Sequence, residues 1–384
     1  MFLEKIAETN PELLETATQL HQAGMILPDT YVIDMDMLLE NAKKILNEAK
    51  KQNIHLYFML KQLGRNPYIA KKLVELGYDG AVVVDFKEAQ VMMKHDIPIS
   101  NVGHLVQPPK AMLQALVNYH CTYFTVFSLE KIKDINECAK KADIVQKLLI
   151  KVVGENDMIY SGQTAGFHLN ELDELIKEVK ALDHVKISGV TSFPCFLYDE
   201  KEESIHPTPN FETLYKAKEI LSSHGIEIEN INAPSTTSVE TLKQMGPYHV
   251  TSGEPGHGLS GTTPLHAYRA CDEKPCVVYV SEISHNFEGN AYCYGGGFYR
   301  RSHVKHALVG TKYTQMKQVE VTPPTLESID YYFGLNEICN VNDTVLMAFR
   351  FQIFVTRSNV CLIEGIHQGS PKIVGMYTSQ GEVL

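Results

Sequence analysis

With 384 residues the chain is too long for one ordinary domain and about right for a large barrel plus a smaller second domain. It is 44% hydrophobic and 21% charged, enough for a sizeable core, and its formal net charge of −11 with no basic stretch argues against nucleic acid as a partner. No apolar run approaches a bilayer span, Met1-Phe2-Leu3-Glu4-Lys5 does not read as a signal peptide, and the eight cysteines form no C-x-x-C pair, so a cytoplasmic location with free thiols and no membrane partner is expected.

Residues 1–27 read as helical, with Leu13, Leu14, Ala17 and Leu20 on one face. From Pro28 onward strands and helices alternate. Tyr31-Val32-Ile33 leads into a helix carrying Leu38, Leu39, Ala42, Ile45 and Leu46. The run Leu56-Tyr57-Phe58-Met59-Leu60 reads as a buried parallel strand, and Lys61 closes it. Asn66, Pro67 and Gly77 then supply the cap, first residue and stop of a helix. Residues 80–84 form a second strand, and Asp85 with Glu88 has the spacing of a capping box. The rhythm continues with strands near 102–106, 123–127, 148–153, 185–190, 226–231 and 248–251. Helices lie between them near 110–118, after Ser128, along Leu172, Leu175, Ile176 and Val179, along Leu214, Ala217 and Leu221, and from about Thr237. About eight β/α units predict an α/β fold with a TIM-type (β/α)8 barrel over residues 28–265. A doubly wound open sheet is the alternative, but no G-x-G-x-x-G follows a strand. Beyond Leu265 helical periodicity fades. The short runs at 277–280, 307–309, 345–347 and 351–355 predict a mostly β domain over 266–384, together with helix 1–27.

Four places have the residue types that chemistry requires. Lys61 stands at the C-terminal end of a barrel strand, where such folds place their chemistry, and partial desolvation there favours a nucleophilic amine. Ser235, Thr236 and Thr237 precede a helix in the phosphate position of a barrel, Thr237 and Glu240 having capping-box spacing. In Ser252-Gly253-Glu254-Pro255-Gly256-His257-Gly258 the glycines allow close backbone approach to a ligand, and Glu254 is expected to face the barrel mouth. Tyr292-Cys293-Tyr294-Gly295-Gly296-Gly297 reads as a functional loop of the β domain. Each has a plainer explanation: a solvated strand-end lysine, an ordinary helix cap, a glycine-rich turn, an aromatic hairpin. Their order along the chain is what combines them.

In that order the residues resemble the alanine-racemase-like, fold-type III pyridoxal-phosphate enzymes, and among these the YhfX-like branch. The resemblance implies that Lys61 binds the cofactor covalently, that Ser235, Thr236, Thr237 and Gly256 hold its phosphate, that Glu254 faces the pyridine nitrogen, and that Tyr294 reaches the active site of a neighbouring subunit, so that a homodimer is expected. Alanine racemases carry arginine where Glu254 stands. A carboxylate there resembles the fold-type III decarboxylases, whose Glu-Pro-Gly-Arg here reads Glu-Pro-Gly-His with His257 in the arginine's place. Cys293 also resembles a decarboxylase cysteine that crosses the dimer interface. The loop residues 161–167 lack the arginine that alanine racemases have there, and Arg65 is a candidate for a phosphate or a substrate carboxylate.

The expected activity is pyridoxal-phosphate-dependent racemisation of an amino acid, with Lys61 as one base and Tyr294 or Cys293 as the other. Decarboxylation is the alternative within the family, and aldolase or dehydratase activity a third. Other classes are a non-catalytic cofactor or metabolite sensor and a cofactor-free Schiff-base aldolase. His303 and His306 lie three apart but lack a third ligand, so no metal is assigned.

Overall fold

His55–Phe58 is the first of eight parallel strands in the computed structural model of the protein, which describes residues 2–384. The others are Gly80–Val82, Ile99–Val102, Tyr123–Val126, Gln146–Val153, Val185–Thr191, Asn230–Asn232 and Ser252–Gly253. Each pairs in parallel with the next, and the eighth pairs with the first, which closes the barrel. The strands are rich in buried β-branched and aromatic residues because both faces are covered, one by the barrel interior and one by helices. Gly189 is needed at a close strand approach: a Cβ there would lie 2.1 Å from the carbonyl oxygen of Asn230. The expected helix starts largely hold. Asp85 Oδ1 accepts from the Glu88 N–H at 2.8 Å, and Ser128 Oγ from the Lys131 N–H at 3.3 Å. The returning bond of the capping box differs, because Glu88 Oε2 accepts from Val84 rather than from Asp85, at 2.6 Å.

The chain divides into two compact units. The barrel unit spans Lys44–Leu60 and Ile69–Gly256; the other comprises the chain up to Lys43, Lys61–Tyr68 and His257–Leu384. The second unit is built on nine strands. In sheet order they are Asn290–Tyr294, Tyr332–Leu335, Lys317–Thr322, His306–Gly310, Thr344–Met347, Val277–Phe287, Thr30–Asp34, Asn359–Glu364 and Lys372–Thr378. Asn290–Tyr294 also pairs with Val277–Phe287, which closes six of them into a ring. The amphipathic helices Phe2–Thr9 and Pro11–Gln22 place Leu3, Ile6, Leu13, Leu14 and Ala17 in one core with Val278, Val280, Leu346 and Ile363.

Local expectations differ from the structure in several places: residues 248–251, read as the closing barrel strand, begin in a 3₁₀ turn at Gly246–Tyr248, and the strand is Ser252–Gly253. The Tyr31 strand, read as the opening of the barrel series, runs antiparallel to Val277–Phe287 and parallel to Asn359–Glu364. Residues 351–355, read as a strand, form only a 3₁₀ turn at Ile353–Val355. Among the described residues no helix is long and apolar enough to cross a membrane.

Candidate active site

In the barrel unit a group of buried polar residues surrounds Glu254. Glu254 follows the eighth strand directly, and its N–H donates to Thr237 Oγ1 at 3.1 Å. The next residue, Pro255, accepts from the Met59 N–H at 2.9 Å, two positions before Lys61 in the chain. The Glu254 carboxylate meets two side chains from the third strand and the turn after it. Asn101 Nδ2 donates to Oε1 at 3.4 Å, and His104 Nε2 lies 3.6 Å from Oε2, both side chains of that pair being at most 2% exposed. Asn101 Oδ1 in turn accepts from Thr125 Oγ1 of the fourth strand at 2.8 Å. The His104 ring meets Phe193 edge-on, with centroids 5.6 Å apart, and Tyr160 packs on Phe193. A carboxylate so desolvated interacts strongly with any cation brought to it.

The Ser235-Thr236-Thr237 segment follows the seventh strand. Ser235 and Thr236 are consecutive non-glycine residues at positive φ, 108° and 48°. Such backbone strain collects at functional positions, and successive N–H groups in such turns form anion-binding concavities. The Thr236 hydroxyl donates to Phe196 O at 3.0 Å, and the Thr236 carbonyl accepts from Thr241 Oγ1 at 2.6 Å. The helix Val239–Met245 is capped by Ser238 Oγ, which accepts from the Thr241 N–H at 3.3 Å, and not by Thr237 as its spacing with Glu240 suggested. Thr237 is engaged instead by Glu254. Gly256, the last residue of the barrel unit, is buried.

In the other unit Lys61 opens a 3₁₀ turn, Lys61–Leu63. Gly64 and Arg65 then both take positive φ, 69° and 54°. At Gly64 a Cβ would come within 3.1 Å of Val360 and 3.2 Å of Ile353. Arg65 is only 3% exposed; its Nη1 donates to Gln380 Oε1 at 2.7 Å and its guanidinium lies 5.1 Å from the centre of the Phe354 ring. Arg65 thus has protein partners where a phosphate or a substrate carboxylate was expected.

His257 is also held internally. Gln352 Nε2 lies 3.2 Å from His257 Nε2 and, as a donor, places the ring proton on Nδ1, which donates to Thr262 Oγ1 at 2.9 Å. Burial, with Arg350, Lys61 and His266 nearby, holds the imidazole well below its usual range. His257, which stands where the decarboxylases have an arginine, is therefore a neutral ring bonded within the protein.

Strand alternation separates Cys293 from Tyr294. In Asn290–Tyr294 the Cys293 side chain is fully buried, and burial pushes its thiol up to about 12, whereas Tyr294 is 37% exposed. The Tyr294 carbonyl accepts from Ser281 Oγ at 2.7 Å, and the following glycine loop is pinned by N–H bonds of Gly296 and Phe298 to Asp330 Oδ2 at 3.1 and 3.0 Å. Sequence reading missed Asn101 and His104, the side chains that meet the Glu254 carboxylate.

A family model described as alanine racemase, N-terminal domain, matches residues 33–264, and one described as YhfX-like, C-terminal domain, matches residues 278–373. The Escherichia coli (strain K12) protein YhfX is 45% identical over 386 residues, covering 100% of each chain. An alanine racemase of Clostridium difficile 630, solved with cycloserine, superposes with a TM-score of 0.65 and 17% identity, covering 92% of this chain and 99% of its own. Diaminopimelate decarboxylase from M. jannaschii, solved with L-lysine, gives 0.67 and 16%, covering 94% and 91%. The chain belongs to the alanine-racemase-like, fold-type III family and, within it, to the YhfX-like branch. Members of that family use pyridoxal phosphate. The residue types such a group requires are present: an amine at Lys61 in one unit, and in the barrel unit successive positive-φ residues at Ser235 and Thr236 and a desolvated carboxylate at Glu254.

Proposed function

We propose that the protein is a pyridoxal-phosphate-dependent amino-acid racemase that works as a homodimer in the cytoplasm. Pyridoxal phosphate, when bound, supplies an electron sink that acidifies the α-carbon proton of an amino acid. The N–H groups of Ser235, Thr236 and Thr237, with Gly256, hold the phosphate. Glu254, oriented by Asn101 and His104, keeps the ring nitrogen protonated. The amine of Lys61 takes the proton on one face, and the phenol of Tyr294 from the partner subunit returns one on the other. The eight free cysteines are in keeping with a reducing compartment.

The observation that carries the reading is the contrast within one strand. Cys293, the residue that resembled the decarboxylases, is sealed in the sheet, while the next residue, Tyr294, is 37% exposed. Decarboxylation is the second reading, favoured by the Glu254 carboxylate. Incubating a panel of L- and D-amino acids with protein and pyridoxal phosphate in deuterated water separates the two by NMR. Racemisation gives α-deuterium with inversion, and loss of the carboxylate assigns the second reading. Borohydride-fixed cofactor should be absent from Lys61→Ala; its retention would overturn the role of Lys61.

A further inference from the structure

Lys151 lies in the fifth barrel strand and is 4% exposed. Lysine is almost never enclosed without a partner, because desolvating its charge is unfavourable. The contact its amine makes is with an aromatic face, Phe127, whose ring centre is 5.1 Å from Nζ. Burial alone acts on the amine, lowering it to about 8, with no carboxylate opposing the shift.

Strand geometry fixes where this amine points. Lys147, Leu149 and Lys151 share one face of the fifth strand, as Tyr123, Thr125 and Phe127 share one face of the fourth and the turn after it. The register sets Tyr123 beside Lys147 and Val126 beside Ile150. Lys147 lies over Tyr123 at 5.8 Å as Lys151 lies over Phe127. Thr125, between the two aromatics, bonds Asn101, which bonds Glu254. Lys151 therefore faces the barrel interior at the end where Glu254 stands. Lys147, at the opposite end, is more exposed and paired with Glu229. Among the described residues no carboxylate pairs with Lys151. The loop that follows, residues 154–167, contains no lysine or arginine.

We propose that Lys151 binds the carboxylate group of the substrate, supplying from the strand the positive charge that the following loop lacks. The claim rests on the amino-acid reading above and assigns to a named residue the recognition of the substrate's acidic group. A carboxylate arriving at Nζ forms a desolvated ion pair with the ammonium, which favours the charged form and raises its titration midpoint.

The test uses the full chain without cofactor, its lysines labelled with carbon-13 at Cε, and acetate as the probe. The Lys151 resonance is assigned by its loss in Lys151→Met. Adding acetate should raise its titration midpoint by about one pH unit, while chloride at equal ionic strength leaves it in place. Lys151→Arg should retain acetate binding and Lys151→Met should lose it, with thermal melts verifying that both variants are folded. An unmoved midpoint overturns the proposal. So does a carbamate signal from carbon-13 bicarbonate that persists with acetate present, since the nitrogen would then carry negative charge. The racemase reading fails separately, in the deuterium-exchange assay, whatever acetate does here.

Discussion

Arg65 donates to Gln380 across 2.7 Å, so a residue four positions after Lys61 is tied to the last turn of the chain. Gln380 Nε2 also donates to the carbonyl of Phe354, whose ring lies against the guanidinium, at 2.5 and 5.1 Å respectively. A hydrogen bond to a buried charge stabilises by roughly 1.5–3 kcal/mol. Gln380→Ala should lower the urea midpoint accordingly with an unchanged slope, and should speed amide exchange over residues 61–66. Protection at those amides equal to that of the parent protein would show that the tie does not hold the segment.

Asp29 makes stability depend on pH near the Tyr294 loop. It accepts from Tyr279 Oη at 3.0 Å and from Ser358 Oγ, and burial raises its carboxyl from 3.8 to about 6. A group whose folded pKa exceeds its unfolded value binds more protons when folded. Its contribution is therefore greatest below pH 4 and is lost as pH rises through 6, by at most about 3 kcal/mol. Asp29→Asn should flatten this part of the profile. Urea midpoints of the two proteins between pH 4 and 7 measure the difference, and parallel curves would exclude the assignment.

Cys293→Ala and Tyr294→Phe should separate cleanly. The first removes a buried thiol and should lower stability by about 1 kcal/mol while leaving α-proton exchange within about twofold. The second keeps the ring and loses the proton, so inversion should fall by roughly 10²–10⁴. Iodoacetamide should leave Cys293 unmodified in the folded protein, because its thiol is enclosed and held at about 12.

At the start of the helix Phe86–Lys94, Asp85→Ala should cost about 1 kcal/mol through loss of the cap. Glu88→Ala should cost more, since Glu88 is 1% exposed and receives the Val84 N–H, which would be left unsatisfied. The double variant should be less destabilised than the sum of the two, because both changes disrupt one turn. Additive thermal shifts would argue against a shared network.

The parts of this fold that depend on local chemistry were legible in the sequence. Asp85 and Ser128 cap their helices because a side-chain oxygen and a nearby N–H need nothing else. Lys61 stood out because it closes an apolar strand, and Glu254 because it lies in a glycine-rich segment after the last strand. What depends on distant partners was not legible. Tyr31-Val32-Ile33 reads the same whether it joins a parallel barrel or, as it does, lies between Val277–Phe287 and Asn359–Glu364. Thr237 had the spacing of a cap, but Glu254, seventeen positions on, engages it and leaves the cap to Ser238. Asn101 and His104 carry no motif of their own; their meaning comes from the carboxylate they meet.

The inclusion of Lys61–Tyr68 with the C-terminal residues, packed through Gly64 on Val360 and Ile353, constrains how this lineage can change. A barrel exchanged for a relative's would bring a lysine turn shaped for another sheet, with a misplaced left-handed glycine or a bulkier residue against Val360. The Lys61 turn and the sheet beneath it must then be inherited together, although some three hundred positions of chain separate them.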